Sequence, residues 1–361
     1  MRINEQHFRT IWQQGDRVCL IDQTQLPFEL VTVEVTSLVQ MCHAIRSMKV
    51  RGAPLIGVAA AYGMALALQE NASDGSLQGA MQQLVATRPT AVNLAWAVQH
   101  MRQQLLALPI AKRVETAWQM ANMLADEDVS QNLAIGQQGK VLIAGKAAAN
   151  PQQTVHILTH CNAGWLATVD GGTALASVYA AHDAGLDIHV WVDETRPRNQ
   201  GASLTAWELA QHGVPHTVIT DNAGGHLMQQ GQIDMVIVGA DRVTRNGDVC
   251  NKIGTYLKAL AAYDNRIPFY AAVPTPTIDW QLVHGAAIEI EMRDADEVAY
   301  MQGQGSDGKL QKVRVIPHES RALNPAFDVT PARLVTGIIT ERGIFPPEQL
   351  QQAYTAFEPK S

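Results

Sequence analysis

Val155-His156-Ile157-Leu158-Thr159-His160-Cys161-Asn162-Ala163-Gly164 runs from a short apolar stretch into a cluster of small and reactive side chains. Four more apolar runs follow, at 188–192, 217–220, 235–238 and 269–273. Helical patterns lie between them at 172–184, 202–212, 224–230 and 252–263. Short buried runs alternating with helices predict a mostly parallel, doubly wound α/β sheet.

The rest of the chain reads outward from that core. Before it, a polar break at 147–153 contains Pro151. From 37 to 146 the spacing is helical and rich in Ala, Leu, Gln and Met, with breaks at Arg51-Gly52-Ala53-Pro54, at 71–74 and at Arg88-Pro89-Thr90. The first 35 positions suggest two strands, 18–21 and 29–33, around the turn-rich 22–27. Two domains are expected: a smaller, mainly helical one with a few strands over 1–146, and a catalytic one over 147–361. Beyond the sheet, Thr330 as a cap, Pro331 at the first position and Gly343 as a stop predict a C-terminal helix carrying Leu334, Ile338 and Ile339.

Composition narrows the function. A formal net charge of −7 argues against a nucleic-acid binder. It leaves room for an anionic substrate, because a few arginines and backbone N–H groups suffice to hold a phosphate. The four cysteines, Cys19, Cys42, Cys161 and Cys250, form no C-x-x-C pair, which speaks against a disulfide framework or a thiolate zinc site. No run approaches the ~18 uninterrupted apolar residues of a membrane span. The N-terminus has no signal-peptide core. A cytoplasmic protein with reduced thiols is expected.

In an open parallel sheet, ligands bind beyond the carboxyl ends of the strands. Those ends carry His160-Cys161-Asn162, Asp193-Glu194-Thr195-Arg196, Asp221-Asn222 and Gly239-Ala240-Asp241-Arg242. A lone cysteine is most often a small buried hydrophobe. At a strand end, followed by small residues, Cys161 reads instead as a thiol that exchanges protons. Asp241 has a bland reading as a turn cap. Its place directly after Met235-Val236-Ile237-Val238 suggests a partly desolvated carboxyl with a raised pKa, suited to act as an acid. Asn251-Lys252 is expected to open the next helix as an anion or hydroxyl site, and Arg51-Gly52-Ala53-Pro54 and Arg88-Pro89-Thr90 to present further helix starts to a phosphate.

Two patterns are set aside. Gly303-Gln304-Gly305-Ser306-Asp307-Gly308 matches G-x-G-x-x-G but lies in polar sequence and reads as a loop. The histidines 156, 160, 212, 216 and 226 show no metal-ligand spacing, and His156 and His160 fall on one strand face, suited to packing or hydrogen bonding.

The chain resembles the methylthioribose-1-phosphate isomerase family over nearly its whole length. The carrying stretches are Arg51-Gly52-Ala53-Pro54-Leu55-Ile56-Gly57, Arg88-Pro89-Thr90-Ala91-Val92-Asn93-Leu94, Thr159-His160-Cys161-Asn162-Ala163-Gly164 and Asp193-Glu194-Thr195-Arg196-Pro197-Arg198 with Gln200-Gly201. Gly239-Ala240-Asp241-Arg242, Asn246-Gly247-Asp248, Asn251-Lys252-Ile253-Gly254-Thr255-Tyr256 and Asn324-Pro325-Ala326-Phe327-Asp328-Val329-Thr330-Pro331 complete the set. Val169-Asp170 departs from the family pattern close to the presumed pocket.

The resemblance implies a Rossmann-like C-terminal domain and a homodimer. It implies Cys161 and Asp241 as the catalytic pair, with Arg51, Gly52, Ala53, Arg88, Gln200, Asn251 and Lys252 binding substrate. The implied partner is a small-molecule sugar phosphate, with no nucleic acid, membrane, metal or redox cofactor. The implied reaction is the aldose–ketose isomerisation of 5-methylthio-α-D-ribose 1-phosphate to 5-methylthio-D-ribulose 1-phosphate in methionine salvage, with 5-deoxyribose 1-phosphate as a further substrate. Asp241 would donate the proton that opens the ring. Cys161 would either relay a proton from C2 to C1 or assist a hydride shift. Two rivals stand beside it: a dinucleotide-dependent oxidoreductase, which lacks its glycine fingerprint here, and a non-catalytic sugar-phosphate or nucleotide-binding regulatory module, as in the related translation-factor subunits.

Overall fold

A computed structural model describes residues 1–3 and 6–355. After a short antiparallel pair, Arg2–Ile3 with Gln6–His7, the N-terminal part forms the antiparallel strands β1 (Ile11–Gln14), β2 (Arg17–Ile21) and β3 (Thr32–Val35). Helices α1 (Leu38–Arg46), α2 (Ala53–Glu70), α3 (Asp74–Val85), α4 (Val92–Leu106) and α5 (Ile110–Ala149) follow. Ser37 caps α1 by accepting a hydrogen bond from the Gln40 N–H. Helix α2 is apolar on every side, which suits a helix surrounded by others. It is long and apolar enough to cross a membrane, but 83% of it is buried inside the fold, and Leu55, Ala59, Met64 and Leu66 anchor the helical core. The 40-residue α5 ties the two halves together: Ala117, Ala121 and Ala125 pack in that core, and Ile135 and Ile143 pack against the large sheet.

The second half is built on β4 (Val155–Thr159), β5 (Ile188–Asp193), β6 (His216–Ile219), β7 (Met235–Val238), β10 (Phe269–Ala272), β15 (Gly337–Thr340) and β16 (Gly343–Phe345). Their order is β16-β15-β10-β7-β4-β5-β6, parallel throughout except for β16. Helices α6 (Ala174–Asp183), α7 (Ala206–His212), α8 (Ala223–Gln229) and α9 (Thr255–Asp264) connect and cover it. Along β7, Met235 and Ile237 enter one core and Val236 and Val238 the other, so the strand is apolar on both faces. A second, four-stranded sheet joins β11 (Ile278–Asp279), β8 (Arg242–Thr244), β9 (Val249–Lys252) and β14 (Phe327–Thr330) in that order. Between β11 and β14 in sequence lies the antiparallel hairpin β12 (Tyr300–Gln304) with β13 (Leu310–Arg314).

Four expectations change. Asn251 and Lys252 do not open a helix: they end β9, paired antiparallel with Asp328 and Phe327 of β14, and α9 starts only at Thr255. The N-terminus of α9 is no anion site, because Asp328 already accepts from the Gly254 and Tyr256 N–H groups at 2.7 and 3.1 Å. The predicted C-terminal helix is instead β14, a 3₁₀ turn (Ala332–Leu334) and the strands β15 and β16. Ile338 and Ile339 are consecutive and both fully buried, as in a strand with a core on each face. The glycine-rich 303–308 segment is the end and turn of the β12–β13 hairpin rather than a free loop. The early strand predicted at 29–33 lies at 32–35, where it pairs with β2.

Candidate active site

The chain leaves β4 to build β5 and β6 on one side, then returns to place β7 on the other side of β4. The connection therefore reverses direction between β4 and β7. A crevice opens outside the carboxyl ends of strands at such a point. Cys161 follows β4 and Asp241 follows β7, so the two flank it.

The cleft there is narrow, with a cavity volume of about 60 Å³. All nine sequence-predicted site residues line it: Arg51, Gly52, Ala53 and Arg88 from the helical part, and Cys161, Gln200, Asp241, Asn251 and Lys252 from the sheet part. Met48, Pro274 and Phe327 add apolar surface. Sequence reasoning missed these three, which carry no local chemical signal.

Cys161 is a buried residue with φ +63°, in the left-handed region that costs a non-glycine residue about 1–2 kcal/mol. Its backbone is held from both sides. The N–H donates to Thr195 Oγ1 at 2.7 Å, and the carbonyl accepts from Thr205 Oγ1 at 2.7 Å. The thiol donates to Gln200 Oε1 at 3.4 Å. Met48, Thr195 and Asn199, all close to the cleft in sequence or space, also have positive φ. Strain held by packing gathers at functional sites.

Burial raises the Cys161 pKa, against the pull of the Lys252 and Arg51 charges, so the thiol is neutral. Desolvation also raises the carboxyl pKa of half-buried Asp241, and Lys252, Arg88 and Arg51 oppose it. Lys252 is shifted down by desolvation and held up by Cys161 and Asp241. Its ammonium stands 4.7 Å over the Phe327 ring. Asn251 is fixed by a 3.0 Å bond from Nδ2 to Thr255 Oγ1.

The two arginines are set differently. Arg51 is 5% exposed and donates to the backbone and side-chain oxygens of Asn162, while its Nε is buried with no protein partner. Arg88 donates from NH2 and Nε to Glu291 Oε2 at 3.0 and 3.3 Å. Arg293 holds the other Glu291 oxygen at 3.0 Å. Gly52, with φ +97°, caps α2 where its Cα lies against Ala167. Glu291 and Arg293 lie some 200 residues from Arg88, and no local pattern marks them.

The other strand ends serve structure. Asp193 is fully buried, 3.0 Å from His160 Nδ1 and 2.9 Å from Lys258 Nζ, and Asp221 accepts from the Arg196 N–H at 2.8 Å. The ligand atoms of His160, Asp193 and Asp221 lie within 4.8 Å of one another, but the Lys258 ammonium already sits between the two carboxylates, 3.9 Å from Asp221 Oδ1. The cluster is thus an ion-pair network with its own resident cation. Val169 and Asp170 do not line the cleft: Val169 is fully buried in the helical core, and its N–H donates to Asp128.

The model of the Initiation factor 2 subunit family matches residues 49–347. A methylthioribose-1-phosphate isomerase of Rhodospirillum rubrum is 60% identical over 344 residues, 93% of this chain and 88% of that one. One from Acidiphilium cryptum is 56% identical, covering 98% of this chain and 100% of the other. Among solved structures, 5-methylthioribose 1-phosphate isomerase from Pyrococcus horikoshii superposes with a TM-score of 0.81 at 39% identity, over 97% of this chain and 96% of its own. The translation initiation factor eIF-2B subunit delta from A. fulgidus gives 0.78 at 39% identity, over 95% and 97%. Family model, sequence relatives and superposition agree: the chain belongs to the Initiation factor 2 subunit family, and within it to the methylthioribose-1-phosphate isomerases.

Proposed function

We propose that the protein isomerises 5-methylthioribose 1-phosphate to 5-methylthioribulose 1-phosphate, a step of methionine salvage, and also accepts 5-deoxyribose 1-phosphate. One observation carries the reading: a neutral thiol and a pKa-raised carboxyl face one cleft at the reversal of the sheet, ringed by three cationic side chains.

Because phosphate blocks the anomeric oxygen, the ring must be opened by acid. Asp241 gives its proton to the ring oxygen as the C1–oxygen bond breaks. The hydrogen on C2 then moves to C1 with its electron pair, and the Asp241 carboxylate recovers a proton from O2 as the C2 carbonyl forms. The raised pKa of Cys161 favours this route over a proton relay, since a neutral thiol is a poor base. Cys161 assists that shift as a neutral thiol. Arg51, Arg88 and the start of α2 at Gly52 and Ala53 hold the phosphate, and Gln200, Asn251 and Lys252 hold hydroxyls.

The helical part, 1–146, supplies the phosphate side and the sheet part, 147–361, the acid and thiol. The reading includes the cytoplasmic homodimer that the family resemblance implies. Exposed Met123, Leu133 and Val141 along one side of α5 offer apolar surface for it. Incubating the purified protein with each sugar phosphate and following ketose formation tests the substrate assignment. Turnover of both is expected, and no ketose from either would overturn it. Light scattering checks the dimer.

A further inference from the structure

Glu208 sits on α7, outside the cleft, with no part in the steps above. It is fully buried, where an ionised group is tolerated only with hydrogen bonds to satisfy it. Its carboxylate has four donors. Tyr179 OH and the Trp165 N–H reach Oε2 at 2.8 Å, the Leu166 N–H reaches Oε1 at 3.3 Å, and Asn162 Nδ2 also reaches Oε1. Gly164 is glycine for this reason, since a Cβ there would run into the carboxylate.

The Asn162 contact has a consequence for the cleft. Burial raises the Glu208 pKa to about 7; above that pH the carboxylate only accepts, so it compels Asn162 to present its NH2 group. The second acceptor of that NH2, Thr205 Oγ1 at 3.1 Å, agrees with this orientation. Asn162 Oδ1 must then face the other way, toward Arg51. Among the described residues, Arg51 has no hydrogen-bond partner other than Asn162, whose backbone oxygen accepts from NH1 at 2.9 Å. The buried, unpartnered Nε is one of the donors left for an anion.

We infer that Glu208 is a positioning residue for phosphate binding: through its fixed hold on Asn162 it sets the direction in which Arg51 meets the sugar phosphate. This rests on the proposed isomerase reading. Glu208→Gln is the informative change. An uncharged amide of nearly the same shape both donates and accepts, so it holds Asn162 less firmly and leaves only Thr205 Oγ1 and Arg51 to fix which way it faces.

The test compares wild type, Glu208→Gln, Arg51→Ala and the double variant on 5-methylthioribose 1-phosphate. Uniform binding of phosphate in ground and transition states predicts a KM raised about tenfold by Glu208→Gln with kcat within about twofold. In the Arg51→Ala background the same change should leave KM unaltered, because the two act as a unit. A purely structural role would lower the melting temperature and leave KM as it was. If Glu208→Gln does not fold, Asn162→Ala replaces it under the same criteria, keeping the other three donors to Glu208. An unchanged KM, or a KM effect that persists without Arg51, would overturn the relay alone. An inactive wild type would overturn the reaction assignment and the relay with it.

Discussion

Replacing Gly52 by alanine should damage both stability and catalysis. The residue has φ +97°, where a side chain costs about 1–2 kcal/mol, and up to 3 where the surroundings fix it. A Cβ there would fall 2.6 Å from the Ala167 carbonyl oxygen and 2.7 and 2.8 Å from its Cα and Cβ. Ordinary contact begins near 3.4 Å, so the Ala167 backbone must retreat by about 0.8 Å. Such overpacking costs roughly 1–3 kcal/mol. The combined loss is about 2–5 kcal/mol. Ala167 belongs to the loop after Cys161, and Gly52 to the start of α2, so the retreat moves the thiol and the phosphate side relative to each other. Misplacement on the 1 Å scale costs on the order of 10²-fold in rate. Urea denaturation followed by circular dichroism reads the first effect, and kcat/KM the second. Gly185→Ala is the control: φ is +78° and nothing lies within 4 Å, so it should cost about 1 kcal/mol and leave kcat/KM alone. If Gly52→Ala costs no more than Gly185→Ala and retains kcat/KM, the close approach does not organise the cleft.

Three further outcomes are expected. Burial pushes the Asp128 carboxyl from an ordinary value near 3.8 up to about 7, so its contribution to stability is complete below pH ~4 and is lost as pH rises through ~7. Asp128→Asn keeps an acceptor for the Val169 N–H at 2.7 Å, and urea titrations at several pH values should show it flatter from pH 4 to 7 and more stable at pH 8, by up to about 4 kcal/mol. Glu291→Gln removes the charge that steadies Arg88, so KM should rise several-fold, with a matching loss of competitive inhibition by inorganic phosphate; unchanged values for both would remove Arg88 from the phosphate site. Turnover in D2O should leave C1 of the ketose free of deuterium by NMR, whereas deuterium at C1 would replace the hydride shift with a relay through Cys161.

How much of this could be read from the chain differs by element. Strands β4 and β7 were legible because each is a short, mostly apolar and buried run that gives way to small and polar residues. Their ends named Cys161 and Asp241, and the family resemblance singled them out from the other strand-end groups. β9 was misread because its partners β8 and β14 are what make it a strand, and β14 lies more than 70 residues away, beyond the reach of local pattern. The same non-local pairing turned the expected C-terminal helix into β15 and β16. The charges that orient the arginines were hidden for a related reason. Glu291 meets Arg88 only in the folded protein, and Glu208 is a single acid within the otherwise unremarkable Trp207-Glu208-Leu209.

We propose that Cys161 and Asp241 together carry the isomerisation. Ketose formation from 5-methylthioribose 1-phosphate by wild type, Cys161→Ser and Asp241→Asn tests it most directly, with circular dichroism confirming that each variant is folded. Wild type should turn over, and each folded variant should lose at least about 10²-fold in kcat. Near-normal turnover by both variants would remove the two residues from the chemistry.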